Sequence, residues 1–230
     1  MHAFRLAHAG VVLTETDHAL VIDPGSFTTA EELDAAMRIA PPVAGIVITH
    51  EHADHWTPEH VTAIRGVAPQ CPIMTTAATA SALNAAGVTD VRIVAEGDAI
   101  DVGPFALEFY GGRHEVLHSS IPVVDNVGVH VNGTFAYGGD SLVRPPFRAD
   151  VLGVPIGSPW SNIAQVMDFV LNARAARIYL THAGMLSSAG LQLFTARVRE
   201  CLTQNGGELI ELPTVSAITE AGASLSELGR

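Results

Sequence analysis

Apolar and polar residues alternate along this chain with two periods, and the changes of period divide it into short elements. Three β-like runs come first, FRLAH (4–8), GVVLTET (10–16) and HALVID (18–23), separated by turn residues. TAEELDAAMRIA (29–40) has the helical period, with Thr29 placed to cap it and acids in its first turn. AGIVITH (44–50) reads as a buried strand ending on His50, and the next helix starts at Pro58 behind a Thr57 cap. CPIMTT (71–76) and TAATASALNAAG (76–87) repeat the strand-then-helix order, with Gly87 closing the helix.

From Val91 to Asp140 the pattern is mostly β, and Asn132-Gly133 predicts a tight hairpin turn. Alternation of strand and helix then returns. ADVLGVPIG (149–157) is a strand, and the helix in NIAQVMDFVLNARA places Ile163, Val166, Met167, Val170 and Leu171 on one face. ARIYLTH (176–182) is a second buried strand, residues 188–204 form a helix, and a last strand lies near ELIELP (208–213). GIVITH and RIYLTH echo each other, two buried strands each ending in Thr-His. This order fits one domain over residues 1–230, with two packed sheets and helices outside.

Composition narrows the function. Of the 230 residues 48% are hydrophobic and 16% charged, which describes a folded chain with a substantial core. The net charge of −12 would stay near −8 even with two bound divalent cations, and no basic patch points to nucleic acid. The two cysteines, Cys71 and Cys201, form no C-x-x-C pair, which suits a reducing compartment. The N-terminus does not read as a secretion signal, and no apolar stretch reaches the roughly 18 residues of a membrane helix. The expectation is a cytoplasmic protein with a small-molecule substrate, and the oligomeric state is left open.

The concentrated chemistry is in ITHEHADHW (48–56), where His50, His52, Asp54 and His55 follow a buried strand. In extended chain His50 and His52 point to the same side, because the side-chain period is two. Asp54 and His55, on the turn beyond, can face a neighbouring point. Two adjacent groups of ligands therefore grow from one segment.

This segment resembles the metal-binding signature of the metallo-β-lactamase superfamily. The superfamily's other positions are filled in order: Asp23 in VIDPG, His114 in GGRHE, Asp140 in YGGDS and His182 in YLTH. The resemblance implies an α+β protein, a four-layer αβ/βα sandwich with a metal site at the sheet ends. It assigns His50, His52 and His114 to a first metal, Asp54, His55 and His182 to a second, and Asp140 to a bridge. Asp23 would orient a histidine rather than ligate. Nitrogen and oxygen donors without thiolate suit two zinc ions, and also manganese or iron. The opening LAHAGVVLTETDHALVIDPG and the segment GGRHEVLHSS are similar to the branch containing ascorbate-6-phosphate lactonase. Where those relatives carry Gly-His, this chain has Ala7-His8.

The activity implied is metal-dependent hydrolysis of an ester, lactone or phosphodiester by hydroxide generated at the dinuclear site, with Asp54 also hydrogen-bonding the nucleophile. The rivals are non-haem iron oxidoreductase chemistry and a non-catalytic metal- or ligand-binding member. Candidate substrate contacts are His118, Arg113, Trp56 and Trp160, the tryptophans being equally readable as core. His2, His18, His60 and His130 read as surface or strand positions, and His8 as structural or functional.

Overall fold

The computed structural model describes residues 1–221. The described chain forms two compact units, the first from residues 1–94, 101–105 and 212–221, the second from residues 95–100 and 106–211.

The first unit carries a six-stranded sheet. Strands β1 (His2–Arg5), β2 (Val11–Glu15) and β3 (His18–Ile22) form an antiparallel meander, and β4 (Val43–Ile48), β5 (Ile73–Thr75) and β6 (Val91–Ile93) continue it in parallel. Parallel neighbours need crossovers, supplied by α1 (Ala30–Ile39), α2 (Pro58–Val67) and α3 (Ala77–Ala85). Each crossover helix starts on a threonine whose hydroxyl accepts a backbone N–H: Thr29 from Glu32, Thr57 from His60 and Thr76 from Thr79. Strand β4 is buried over Gly45–Ile48 with covering on both faces, hence its unbroken apolar run. It ends at Ile48, two residues before His50. A further helix, α6 (Val215–Ala221), not expected from the sequence, sends Val215 and Ile218 into this unit's core.

The second unit carries a seven-stranded sheet ordered β13-β12-β11-β10-β9-β8-β7, from β7 (Ala99–Val102) and β8 (Phe105–Tyr110) through β9 (Gly128–Val131), β10 (Phe135–Tyr137), β11 (Val151–Pro155), β12 (Arg177–Thr181) and β13 (Glu208–Leu209). Strands β8, β9 and β10 pair antiparallel, and β10 through β13 pair parallel. Asn132 and Gly133 take φ of 51° and 63°, the left-handed geometry of a tight hairpin. Helix α4 (Ile163–Ala173) opens with a capping box between Asn162 and Gln165.

The buried face of α4 is Val166, Phe169, Val170 and Ala173, while Ile163, Met167 and Leu171 are only partly covered. The expected face packs on the core, with Val166 and Val170 fully enclosed and Ile163, Met167 and Leu171 at its rim, and it extends to Phe169 and Ala173. Helix α5 (Ser188–Asn205) precedes a β13 of only two residues.

Two histidines expected at surface or strand positions are buried. His60 lies in α2 and donates from Nδ1 to Pro24 O at 3.0 Å. His130, in β9, is stacked on Phe147 with centroids 3.7 Å apart. Each ring has one nitrogen bonded, His60 Nδ1 to Pro24 O and His130 Nδ1 to Glu108 Oε2 at 3.2 Å. Among the described residues no helix is long and apolar enough to cross a membrane.

Candidate metal centre

In the first unit the histidine-rich segment is fixed by what lies beneath it. Asp23 follows β3 with φ of 49°, a left-handed conformation that Asp tolerates better than most residues, and its side chain is fully buried. Its Oδ1 accepts Thr49 N at 2.8 Å, and its Oδ2 accepts Thr49 Oγ1 at 2.7 Å and His55 Nδ1 at 2.6 Å. Because the Thr49 hydroxyl gives its only proton to Asp23, its lone pairs face the Nδ1–H of His50, 3.0 Å away. One carboxylate therefore sets the tautomers of two histidines, leaving Nε2 of each as the donor atom.

The loop from Glu51 to Trp56 is clamped to its neighbours. His55 N bonds His52 O, Ser26 N bonds Ala53 O, and Trp56 Nε1 donates to Glu51 O. Gly25 packs so closely beneath it that a Cβ there would lie 1.7 Å from Asp54 O. The donor atoms emerge above this base: His50 Nε2 stands 3.1 Å from His52 Nδ1, and His55 Nε2 3.8 Å from Asp54 Oδ2. His8, with φ of 57°, stacks on Phe27 and reaches Asp54 Oδ2 from Nε2 at 3.3 Å.

The second unit brings together His114, Asp140 and His182. His114 follows β8 and uses Nδ1 to donate to Glu115 O at 2.7 Å, while Glu115 N donates to Asp140 O. Asn126, 1% exposed, accepts Asp140 N and donates to Gly138 O, which fixes the turn carrying Asp140. His182 follows β12 directly with φ of 58°, its Nδ1 3.2 Å from Ser158 Oγ. Nε2 of His114 lies 3.3 Å from Asp140 Oδ2, and Nε2 of His182 lies 3.2 Å from the same oxygen. Trp160 Nε1 also donates to that oxygen at 2.9 Å, and its ring lies edge-on to both histidines.

Do these donors suit a cation? In a tetrahedral site with metal–nitrogen bonds of about 2.0–2.1 Å, neighbouring donors are about 3.3 Å apart. Three of the four donor pairs within the units measure 3.1–3.3 Å, and every pair lies within 4.8 Å. Nδ1 of His50, His55, His114 and His182 is held by an oxygen, as in metal-ligating histidines whose second nitrogen is oriented by a partner. No thiolate takes part: Cys71 and Cys201 are both buried elsewhere. The residues fit a divalent metal.

The remaining candidates are placed differently. Trp56 belongs to the apolar core of the first unit. Arg113 is exposed, and its backbone bridges to Asp125. His118 is exposed, with Nδ1 turned onto Ser120. Thr49, Asn126 and Ser158 support the donors without having been singled out in the sequence. For Thr49 the signal was there, in the paired Thr-His strand ends. For Asn126, 14 residues from Asp140, no local pattern exists.

Residues 5–182 match the family described as the β-lactamase superfamily domain. Protein Rv0786c of Mycobacterium tuberculosis (strain ATCC 25618 / H37Rv) is 26% identical over 224 residues, covering 95% of this chain and all of that one. Among solved structures, the metallo hydrolase Igni18 from Ignicoccus hospitalis superposes with a TM-score of 0.67 at 15% identity, over 92% of this chain and 95% of that one. The diiron β-hydroxylase CmlA from Streptomyces venezuelae gives 0.69 at 14% identity, over 91% of this chain and 52% of that one.

Proposed function

The chain belongs to the β-lactamase superfamily, and from that membership we propose that it is a metal-dependent hydrolase of a small-molecule ester, lactone or phosphodiester. The carrying observation is the set of four histidines whose Nδ1 atoms are held by oxygen while their Nε2 atoms stand beside other donors.

Following the superfamily pattern, His50, His52 and His114 would hold one divalent ion, Asp54, His55 and His182 a second, with Asp140 shared and zinc the best fit to the donors. Such ions supply acidified water and polarisation of a carbonyl or phosphoryl oxygen. The protein's own part is positional. The Asp23–Thr49 pair keeps His50 and His55 in the ligating tautomer. Asp54, half-buried and backed by His8, keeps a carboxylate oxygen able to accept a proton from the attacking water. Trp160 holds Asp140 in place and covers it with an apolar ring, which strengthens electrostatic contacts there.

A second reading is oxidative chemistry at iron, favoured by the likeness to CmlA, a diiron β-hydroxylase, and by donors that iron also accepts. One experiment separates them. Protein purified without chelators and reloaded with Zn(II) or Fe(II) is assayed for metal content and for turnover of lactone, phosphodiester and thioester panels. About two ions per chain, hydrolysis by the zinc form, and loss of one ion in His182→Ala are expected. At most one ion per chain would reject the dinuclear assignment, and turnover only with iron and oxygen would reject the hydrolase proposal.

A further inference from the structure

Between its first and last residues the segment after His114, EVLHSSIPVV (115–124), makes no bond to the donor residues, yet it hangs directly from them. Its ends are drawn together by the bond from His114 N to Val124 O at 3.1 Å and by the Arg113–Asp125 bridge. A second bond, Ile121 N to His118 O at 3.0 Å, folds the tip back. The result is a closed excursion of backbone rather than a trailing loop.

What it shows to solvent is unusual. Val116 is 58% exposed, Leu117 45% and Ile121 46%. Isolated exposed aliphatics need no explanation, but three within six residues form a patch. Val143, 47% exposed, extends it, because Glu115 Oε1 accepts Leu142 N at 2.8 Å, so Val116 and Val143 each stand one residue beyond that bond. Glu115 is the only charged residue in the segment, and that bond uses its carboxylate. The ring of His118 is occupied by Ser120. The outer face therefore offers aliphatic carbon beside the exposed His118, Ser119 and Ser120, and the segment carries no carboxylate, lysine or arginine beyond Glu115. It is also continuous with the donor residues, since Glu115 gives its carbonyl to His114 Nδ1 and its N–H to Asp140 O.

We propose that residues 115–124 form a substrate-recognition loop that seats an apolar acyl or aryl group next to His114 and Asp140, so that the substrates are hydrophobic esters or lactones. This rests on the hydrolase reading above and adds the substrate class. Each methylene laid on the patch should tighten binding about two- to fourfold until the face is covered, from the transfer free energy of a CH₂ group.

The test uses metal-loaded protein and two chelating probes, acetohydroxamate and octanohydroxamate, titrated calorimetrically. The comparison protein is the triple variant Val116→Ser/Leu117→Asn/Ile121→Asn, whose changes are all at exposed positions. Octanohydroxamate should bind wild type at least tenfold more tightly than acetohydroxamate. The variant should lose that preference while binding acetohydroxamate within about twofold of wild type. Equal affinity of both probes for wild type, or an unchanged preference in the variant, overturns the loop assignment and leaves the metal reading standing. Failure of both probes to bind overturns both. A wild-type dimer in sedimentation that the variant converts to monomer, with probe preference unchanged, makes the patch an interface between copies and also overturns the proposal.

Discussion

Replacing Asp23 by Asn separates the two tasks of the buried carboxylate. The change is nearly isosteric, and Asn tolerates φ of 49° as well as Asp does, so backbone strain is not altered. The amide oxygen can still accept Thr49 N. The NH₂ group then replaces Oδ2 and meets two groups that had been donating to it, Thr49 Oγ1 and His55 Nδ1. Both can reverse: the hydroxyl turns, and His55 moves its proton to Nε2. Two charge-assisted bonds become two neutral ones, a loss of roughly 1–3 kcal/mol in total if neutral bonds are worth about half as much. The reversed tautomer, however, puts hydrogen on the nitrogen that must ligate, and losing such a partner typically costs 10–100-fold in metal affinity.

Asp23→Ala leaves three donors without an acceptor in a site of 0% exposure and places Ala in left-handed backbone, so about 4–6 kcal/mol of stability should go. Urea unfolding in chelator gives the stability terms, and competition with a chromophoric zinc chelator gives the affinity. If Asp23→Asn binds zinc within twofold of wild type, the tautomer argument is wrong.

Three further outcomes follow from the geometry. Gly25→Ala drives a methyl into the Asp54 peptide and should cost about 3 kcal/mol or more, with reduced metal content in the folded fraction, read by thermal melting and elemental analysis. Trp160→Phe keeps most of the ring but deletes the bond to Asp140, and a loss of about 1.5–3 kcal/mol in metal-binding free energy is expected by calorimetry. Burial pushes the thiol pKa of Cys71 and Cys201 above the ordinary 9.0, so native protein at pH 8 should resist alkylation that unfolded protein undergoes rapidly. In the folded state these thiols hold protons that the unfolded chain releases, so stability should fall as pH rises above 9, and Cys71→Ala should lessen the slope in urea melts.

The order of strands and helices was largely legible because its signals are local. Thr29, Thr57 and Thr76 each announce a helix that begins on the next residue, and Asn132-Gly133 announces its turn. His50, His52, Asp54 and His55 were legible as a cluster because they are contiguous. Periodicity gave α4 and the five residues of its packed face, but not that Phe169 and Ala173 join them, since that depends on β11 and α5 and not on α4 itself. His60 was misread for a similar reason: its partner, Pro24 O, is 36 residues away. The bond from Trp160 to Asp140 joins positions 20 apart with no motif between them. Helix α6 begins two residues after Pro213 and carries a weak seven-residue pattern that only its packing against α1 and the first unit's core stabilises.

The left-handed backbone at His182 bears on how this sequence can drift. A histidine at φ of 58° carries a conformational penalty of about 1–2 kcal/mol that Gly would remove and that Asn or Asp would lessen. Mutations to those three residues at position 182 therefore relax the fold while removing the imidazole donor, so selection for stability alone erodes the site there. Descendants freed from the need for metal should collect Gly, Asn or Asp at 182 sooner than changes at His114, where the backbone exerts no such pull. A deep mutational scan read separately for abundance and for metal-dependent activity would show position 182 as one where the two rankings run in opposite directions.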